Sequence, residues 1–307
     1  MRSHGMRVLI AGATGIIETR LGAILAERGV EVRGLVRDRR RARHLEAAGV
    51  ELWEGDVLEV ETQRGAGEGV EVAYYLVHSM GRGAGGDFAA RERTAAEHFA
   101  RMAADEDIAR VVNLGGLGGD RARSRHLRSR HETAETLRAL GPPLTYFRAA
   151  MVVGAGSESL RKLRSLVERL PAMIGPRWLD TETQPVGIDD VVAYLAQAPA
   201  VARSARREVQ IGGPDVLSYG DMLDRMALAL GRRPRPKLPV PVLSPRLSSL
   251  WIGLVTPVDA GVARPLVEGL STPTVVTEPS GAALSDVDPL PFDETLRRAV
   301  VEERAAV

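Results

Sequence analysis

The residues best placed to do chemistry lie near the start of the chain, in Gly12-Ala13-Thr14-Gly15-Ile16-Ile17-Glu18. Two glycines three apart, between an apolar run and a helical pattern, let the backbone turn tightly. They also bring the unpaired N–H groups of a helix N-terminus up to a pyrophosphate. The same letters suit an ordinary βα turn, and their position between a strand and a helix favours the phosphate reading. The third element of this turn is Glu18, where a glycine or small residue normally stands. A carboxylate about 4 Å from a phosphate costs on the order of 4 kcal/mol at intermediate dielectric. Two orientations are open for Glu18. It can point outward, where its charge suits the helix dipole, or inward, where it weakens cofactor binding or serves as an acid or base.

Further candidates sit at the ends of the next strands. Val36-Arg37-Asp38 closes the second strand. An acid there suits the ribose hydroxyls of NAD, and an arginine suits the 2′-phosphate of NADP. Arg37, followed by Arg39, Arg40 and Arg41, favours NADP(H). Gly55-Asp56-Val57 after the third strand is the expected place for an adenine contact, and His78 ends the fourth strand at the lip of the same crevice.

Alternating elements must position these groups. Apolar runs at Met6 to Ala11, Val30 to Val36, Val50 to Trp53, Val70 to Val77 and Ile108 to Leu114 read as strands. Helical spacing fills Ile16 to Arg28, Arg39 to Ala48 and Phe88 to Ala104. The alternation predicts a doubly wound parallel sheet with helices on both faces and its crevice at the carboxyl ends of the strands. After about residue 150 the beat weakens. Helices are expected at Ser159 to Arg169, Ile188 to Ala198 and Tyr219 to Leu230, with a strand at Arg207 to Ile211. The division expected is a dinucleotide-binding Rossmann core over 1–150 and a smaller substrate-covering subdomain over 151–307, interleaved with the core.

Composition narrows the function classes. The 307 residues are 44% hydrophobic and 26% charged, with a net charge of only +1, which speaks for a globular protein and against a dedicated nucleic-acid binder. The absence of cysteine excludes disulfides, thiolate nucleophiles and Cys-type zinc sites. Lys162 and Lys237 are the only lysines, and neither follows the glycine spacing of a Walker-type phosphate loop. The histidines lack carboxylate partners at ligand spacing, so no metal is expected. No apolar run is long enough to span a bilayer and no signal peptide is visible, so the expected compartment is the cytoplasm. The oligomeric state is open.

GATGII after the first strand, LVRD after the second and EGDV after the third resemble an extended short-chain dehydrogenase/reductase. VVNLGGLG (111–118) fits the same order. HLRSRHETAETLR (126–138), TYFRAAMVVGAG (145–156), TQPVGIDDVVAYL (183–195), IGGPDVLSY (211–219) and SPRLSSLWIGLVTPV (244–258) resemble its atypical, NmrA-like NAD(P)H-binding branch. The resemblance covers nearly the whole chain. It implies NADP(H) as cofactor, a small organic molecule as substrate and an oxidoreductase activity.

The family's usual triad is missing. Ordinary members carry a serine after the fifth strand and Tyr-x-x-x-Lys on the next helix. Here the serine region reads Gly115-Gly116, His126 falls at the tyrosine position and Arg130 at the lysine position. His126 could carry a proton and Arg130 could bind ribose or phosphate. Met151, Trp178, Gln184 and Trp251 are expected at the substrate pocket. Two other readings stay open: a non-redox isomerase, cyclase or lyase using Glu18 or His126 as acid/base, and a protein that senses or assembles around NADP without turnover.

Overall fold

A computed structural model describes residues 5–77, 88–118, 125–169, 173–175, 177–201, 206–239, 272–278 and 280–305. The first half runs β1 (Arg7–Ala11), α1 (Ile16–Glu27), β2 (Glu31–Val36), α2 (Arg43–Glu46), β3 (Val50–Glu54), α3 (Val60–Gln63), β4 (Val72–Tyr75), α4 (Phe88–Asp105), β5 (Arg110–Gly116), α5 (Arg125–Leu140) and β6 (Leu144–Ala149). The second half continues with β7 (Val152–Val153), α6 (Glu158–Arg169), β8 (Met173–Gly175), β9 (Glu182–Thr183), β10 (Val186–Gly187) and α7 (Ile188–Gln197). It ends with β11 (Glu208–Ile211), β12 (Leu217–Ser218), α8 (Tyr219–Ala229), β13 (Lys237–Pro239), α9 (Ser280–Leu284) and α10 (Phe292–Ala305).

Among the described residues, seven strands form one sheet in the order β11-β6-β5-β4-β1-β2-β3, with every neighbouring pair parallel. β1 lies centrally because its run VLIA is buried on both faces, as a parallel strand covered by helices must be. Alternate residues then feed two cores. Val8, Ile10, Tyr74, Val112 and Phe147 meet Leu21 and Leu25 of α1 and Val191 and Leu195 of α7. Leu9, Tyr75, Val111 and Tyr146 meet Phe99 of α4 and Leu137 of α5 on the opposite face. A third cluster joins Leu160 and Leu163 of α6, Met222 and Met226 of α8, and Phe292 and Leu296 of α10.

The doubly wound parallel sheet is the architecture expected from the sequence. β11, from the second half of the chain, adds the edge strand beside β6 through Glu208↔Tyr146 to Ile211↔Ala149. The Arg39 to Ala48 segment is helical only over Arg43–Glu46, because Asp38 draws Arg40 N and Arg41 N into a turn first. β6 and α10 carry no element in the sequence reading. β6 is a strand because it is sandwiched between β5 and β11.

Candidate functional site

The turn between β1 and α1 has the geometry a phosphate cradle needs. Gly12 takes φ +85°, and a Cβ there would lie 3.3 Å from the Leu76 carbonyl and Val77 Cα of the neighbouring strand end. Only glycine combines that dihedral with so close a backbone approach. Gly15 N bonds Gly12 O at 3.0 Å and Gly15 is the N-cap of α1, with no side-chain cap. The first N–H groups of α1 lie at the carboxyl edge of the sheet. Ala13 is buried, Thr14 and Ile16 are exposed, and Ile17 packs partly into the core.

Glu18 points inward. It is only 7% exposed. It shares the buried stripe of α1 with Leu21, Gly22 and Leu25, at spacings of three, four and seven. A methyl group on Gly15 would collide with its carboxylate, so the carboxylate rests on the N-cap of the helix. There it accepts a hydrogen bond from its own backbone N–H. Burial pushes its pKa up to about 7, opposed by that N–H and by the nearby charge of Arg130.

Arg130 comes from α5. Its Nε is shielded from solvent and meets no partner. Burial lowers its pKa, while Tyr146, Glu92, Glu18 and Glu158 hold it charged. Three of these neighbours belong to other contacts or elements: Glu92 accepts from the Ser129 hydroxyl, Glu158 is paired with Lys162 at 2.7 Å, and Tyr146 stands on β6. One guanidinium therefore serves carboxylates from α1, α4 and α6.

The remaining expected residues scatter around this centre. Arg37 is exposed at the end of β2, while Asp38 accepts from Arg40 N at 2.9 Å and Arg39 pairs with Glu46 at 3.0 Å. Asp56 accepts from Leu58 N at 2.9 Å, and Val57 packs partly against the core. Gly115 and Gly116 end β5, where the ring of Tyr146 fills the space a side chain at 115 would take. The Tyr146 hydroxyl is buried without a partner and its pKa is pushed up to about 12, mainly by burial.

Met151 is half-buried against the third cluster. Gln184 is fully engaged: its Nε2 donates to Gly213 O at 2.6 Å and its Oε1 accepts from Val276 N at 3.0 Å. His78 and Trp251 lie outside the described residues, as do the side chains of His126 and Trp178, although His126 is placed on α5 and Trp178 in the 3-10 turn Arg177–Asp180. Among the described residues no group of three or more His, Cys, Asp or Glu could hold a metal ion, and no helix is long and apolar enough to cross a membrane.

Sequence reasoning missed the cluster around Arg130. Its members are spread from residue 18 to residue 158 of the chain, and Tyr146 and Glu92 carry no motif of their own. The mismatch at position 18 was the one available signal.

Residues 12–150 match the family described as NAD(P)H-binding. No curated protein matches the sequence. Among solved structures, an NADPH-dependent quinone oxidoreductase from Escherichia coli, complexed with NADPH, superposes with a TM-score of 0.77 at 16% identity, over 94% of this chain and 98% of that one. The Citrobacter triphenylmethane reductase complexed with NADP(H) gives 0.77 at 16% identity, over 95% and 99%. The Bordetella bronchiseptica enzyme WbmG in complex with NAD and UDP gives 0.70 at 15% identity, over 99% and 96%. Identities this low speak for the fold alone. The glycine turn, the N-terminus of α1 and the basic tip of β2 fit a dinucleotide, and among the described residues the carboxylate of Glu18 opposes it. Residues 12–150 match an NAD(P)H-binding domain, and the chain shares the fold of the quinone oxidoreductase and the triphenylmethane reductase.

Proposed function

We propose that the protein is an NADPH-dependent reductase of a small organic molecule. The observation that carries the preference for NADPH is the tip of β2. Asp38 is committed to capping the following turn and Arg39 to Glu46, and the exposed Arg37 at the end of β2 is the group proposed to meet the 2′-phosphate, with the exposed Arg40 and Arg41 close by in the chain. The cofactor supplies hydride. The protein's part is to seat the pyrophosphate on the Gly12–Gly15 turn, to hold the ribose side with Arg130 and to deliver a proton from His126. These two positions replace the tyrosine and lysine that the resemblance calls for, and the Tyr146 ring beside Gly115 removes the serine position from the chemistry. The similarity in fold to a quinone reductase and a triphenylmethane reductase supports flat, conjugated electron acceptors as the first substrates to try. Residues 151–307 are proposed to cover that substrate.

The decisive experiment titrates NADPH and NADH into the wild type and Arg37→Ala by calorimetry. The expected result is a loss of at least tenfold for NADPH and little change for NADH, because only the former has a phosphate to lose. Equal losses would remove Arg37 from the site. Consumption of NADPH with a panel of quinones and triphenylmethane dyes then tests turnover, and bound NADP that never turns over would leave a sensing protein as the better reading.

A further inference from the structure

Glu18 occupies the place that an anion takes at a helix N-terminus. As the third residue of α1 it lays its carboxylate on the N-cap Gly15 and accepts its own N–H, so it spends on itself a donor that a phosphate would use. We infer that Glu18 gates the pyrophosphate position: a dinucleotide seats on the Gly12–Gly15 turn only over a neutral Glu18 carboxyl, whose O–H then donates to a phosphate oxygen, so that cofactor binding takes up one proton. The inference rests on the NAD(P)H reading above and concerns how that cofactor is admitted.

Three features of the surroundings support it. The side chain leaves α1 on the buried stripe with Leu21 and Leu25, and reaching solvent would require the helix to turn against the sheet. A charge trapped there beside a diphosphate has no water to screen it. Among the described residues, the cation facing it is Arg130 of α5, whose charge is also drawn by Glu92 of α4 and Glu158 of α6, with the Tyr146 phenol of β6 alongside. On the outer side of α1, Arg20 is held by Asp189 of α7 at 2.7 Å and by Glu302 of α10, so it supplies no second countercharge. Protonation is therefore the route by which the carboxylate stops repelling a phosphate, and burial has already raised its pKa to about 7, where a proton is within reach. A neutral carboxyl is also a good donor to a phosphate oxygen, which turns an obstacle into a contact.

The test uses NADP⁺ as the probe and calorimetry in buffers of different ionisation enthalpy, from pH 5.5 to 8.5, on the wild type, Glu18→Gln and Glu18→Gly. The phosphates of the probe titrate alike in all three proteins, so differences belong to position 18. The wild type is expected to take up close to one proton at pH 8 and almost none at pH 5.5, with Kd rising about tenfold per pH unit above pH 7. Glu18→Gln keeps a donor, and both variants should bind NADP⁺ at pH 8 more tightly than the wild type, with no pH dependence from this position. Proton release by the wild type beyond that of Glu18→Gln between pH 5 and 7 would mean that the carboxylate escapes to solvent, and would overturn the inference. So would wild-type and Glu18→Gln affinities that track each other across the range, although the cofactor reading would survive. Failure of all three proteins to bind NADP⁺ at any pH would overturn both.

Discussion

Tyr146 lays its ring across Gly115: the two residues stand on adjacent parallel strands, β6 and β5, and a Cβ on Gly115 would strike the Tyr146 phenol. The position where the resemblance calls for a catalytic serine is thus closed by an aromatic ring. Gly115→Ser should not restore the missing catalytic group. It should destabilise the fold by about 1–3 kcal/mol through overpacking, measured as a lower urea midpoint. Because the Tyr146 hydroxyl is buried without a partner, Tyr146→Phe should be neutral or stabilising by up to about 1 kcal/mol. Relief of the clash in the double variant Gly115→Ser/Tyr146→Ala would confirm the contact, and additive losses would refute it.

Glu18 also makes stability depend on pH. Its pKa is about 7 in the folded protein against an ordinary 4.5, so the folded state binds more protons than the unfolded state between those values. Stability of the wild type should fall as pH rises from about 4.5 to about 7 and stay level above. Glu18→Gln lacks this loss. Relative to the wild type it should gain up to roughly 3 kcal/mol between pH 5 and pH 8. Urea midpoints at four pH values measure this, and parallel curves for the two proteins would refute it.

Arg33 holds together a loop that the sequence did not mark. It is 6% exposed, donates to the carbonyls of Gly65 and Ala66 at 3.2 and 2.7 Å, pairs with Glu51 at 3.1 Å and lies 5.2 Å over the Trp53 ring. Arg33→Met keeps much of the stem but leaves two carbonyls without their donor. The expected cost is about 3 kcal/mol, together with faster hydrogen exchange over residues 63–70. A loss below about 0.5 kcal/mol would show that water replaces the guanidinium without penalty.

His126 stands on α5 one turn before Arg130, where the tyrosine of the resemblance would be. With whichever acceptor the wild type reduces, His126→Ala should lower turnover by roughly 10²–10⁴-fold and leave NADP⁺ affinity within about threefold. Full activity in this variant would assign the proton to water or substrate.

The sequence by itself determined the alternating order of strands and helices in the first half, because buried parallel strands read as short apolar runs and amphipathic helices as a 3.6-residue beat. It also marked the Gly12–Gly15 turn, since a positive φ at Gly12 beside a neighbouring strand end admits no other residue. It could not rank the two ways that α1 can be rotated. Ile17, Leu21, Ile24 and Leu25 make one plausible inward stripe, yet the packed helix buries Glu18, Leu21, Gly22 and Leu25, leaving Ile17 and Ile24 partly buried. A rotation of less than one residue decides whether Glu18 is a solvated charge or a buried one, and only the packing of α1 between the sheet and α7 fixes it. The same holds for Arg130, whose neighbours Glu18, Glu92, Tyr146 and Glu158 converge from four elements. Local periodicity carries the identity of each element, but the field at a titratable group is a sum over distances that the tertiary structure alone sets.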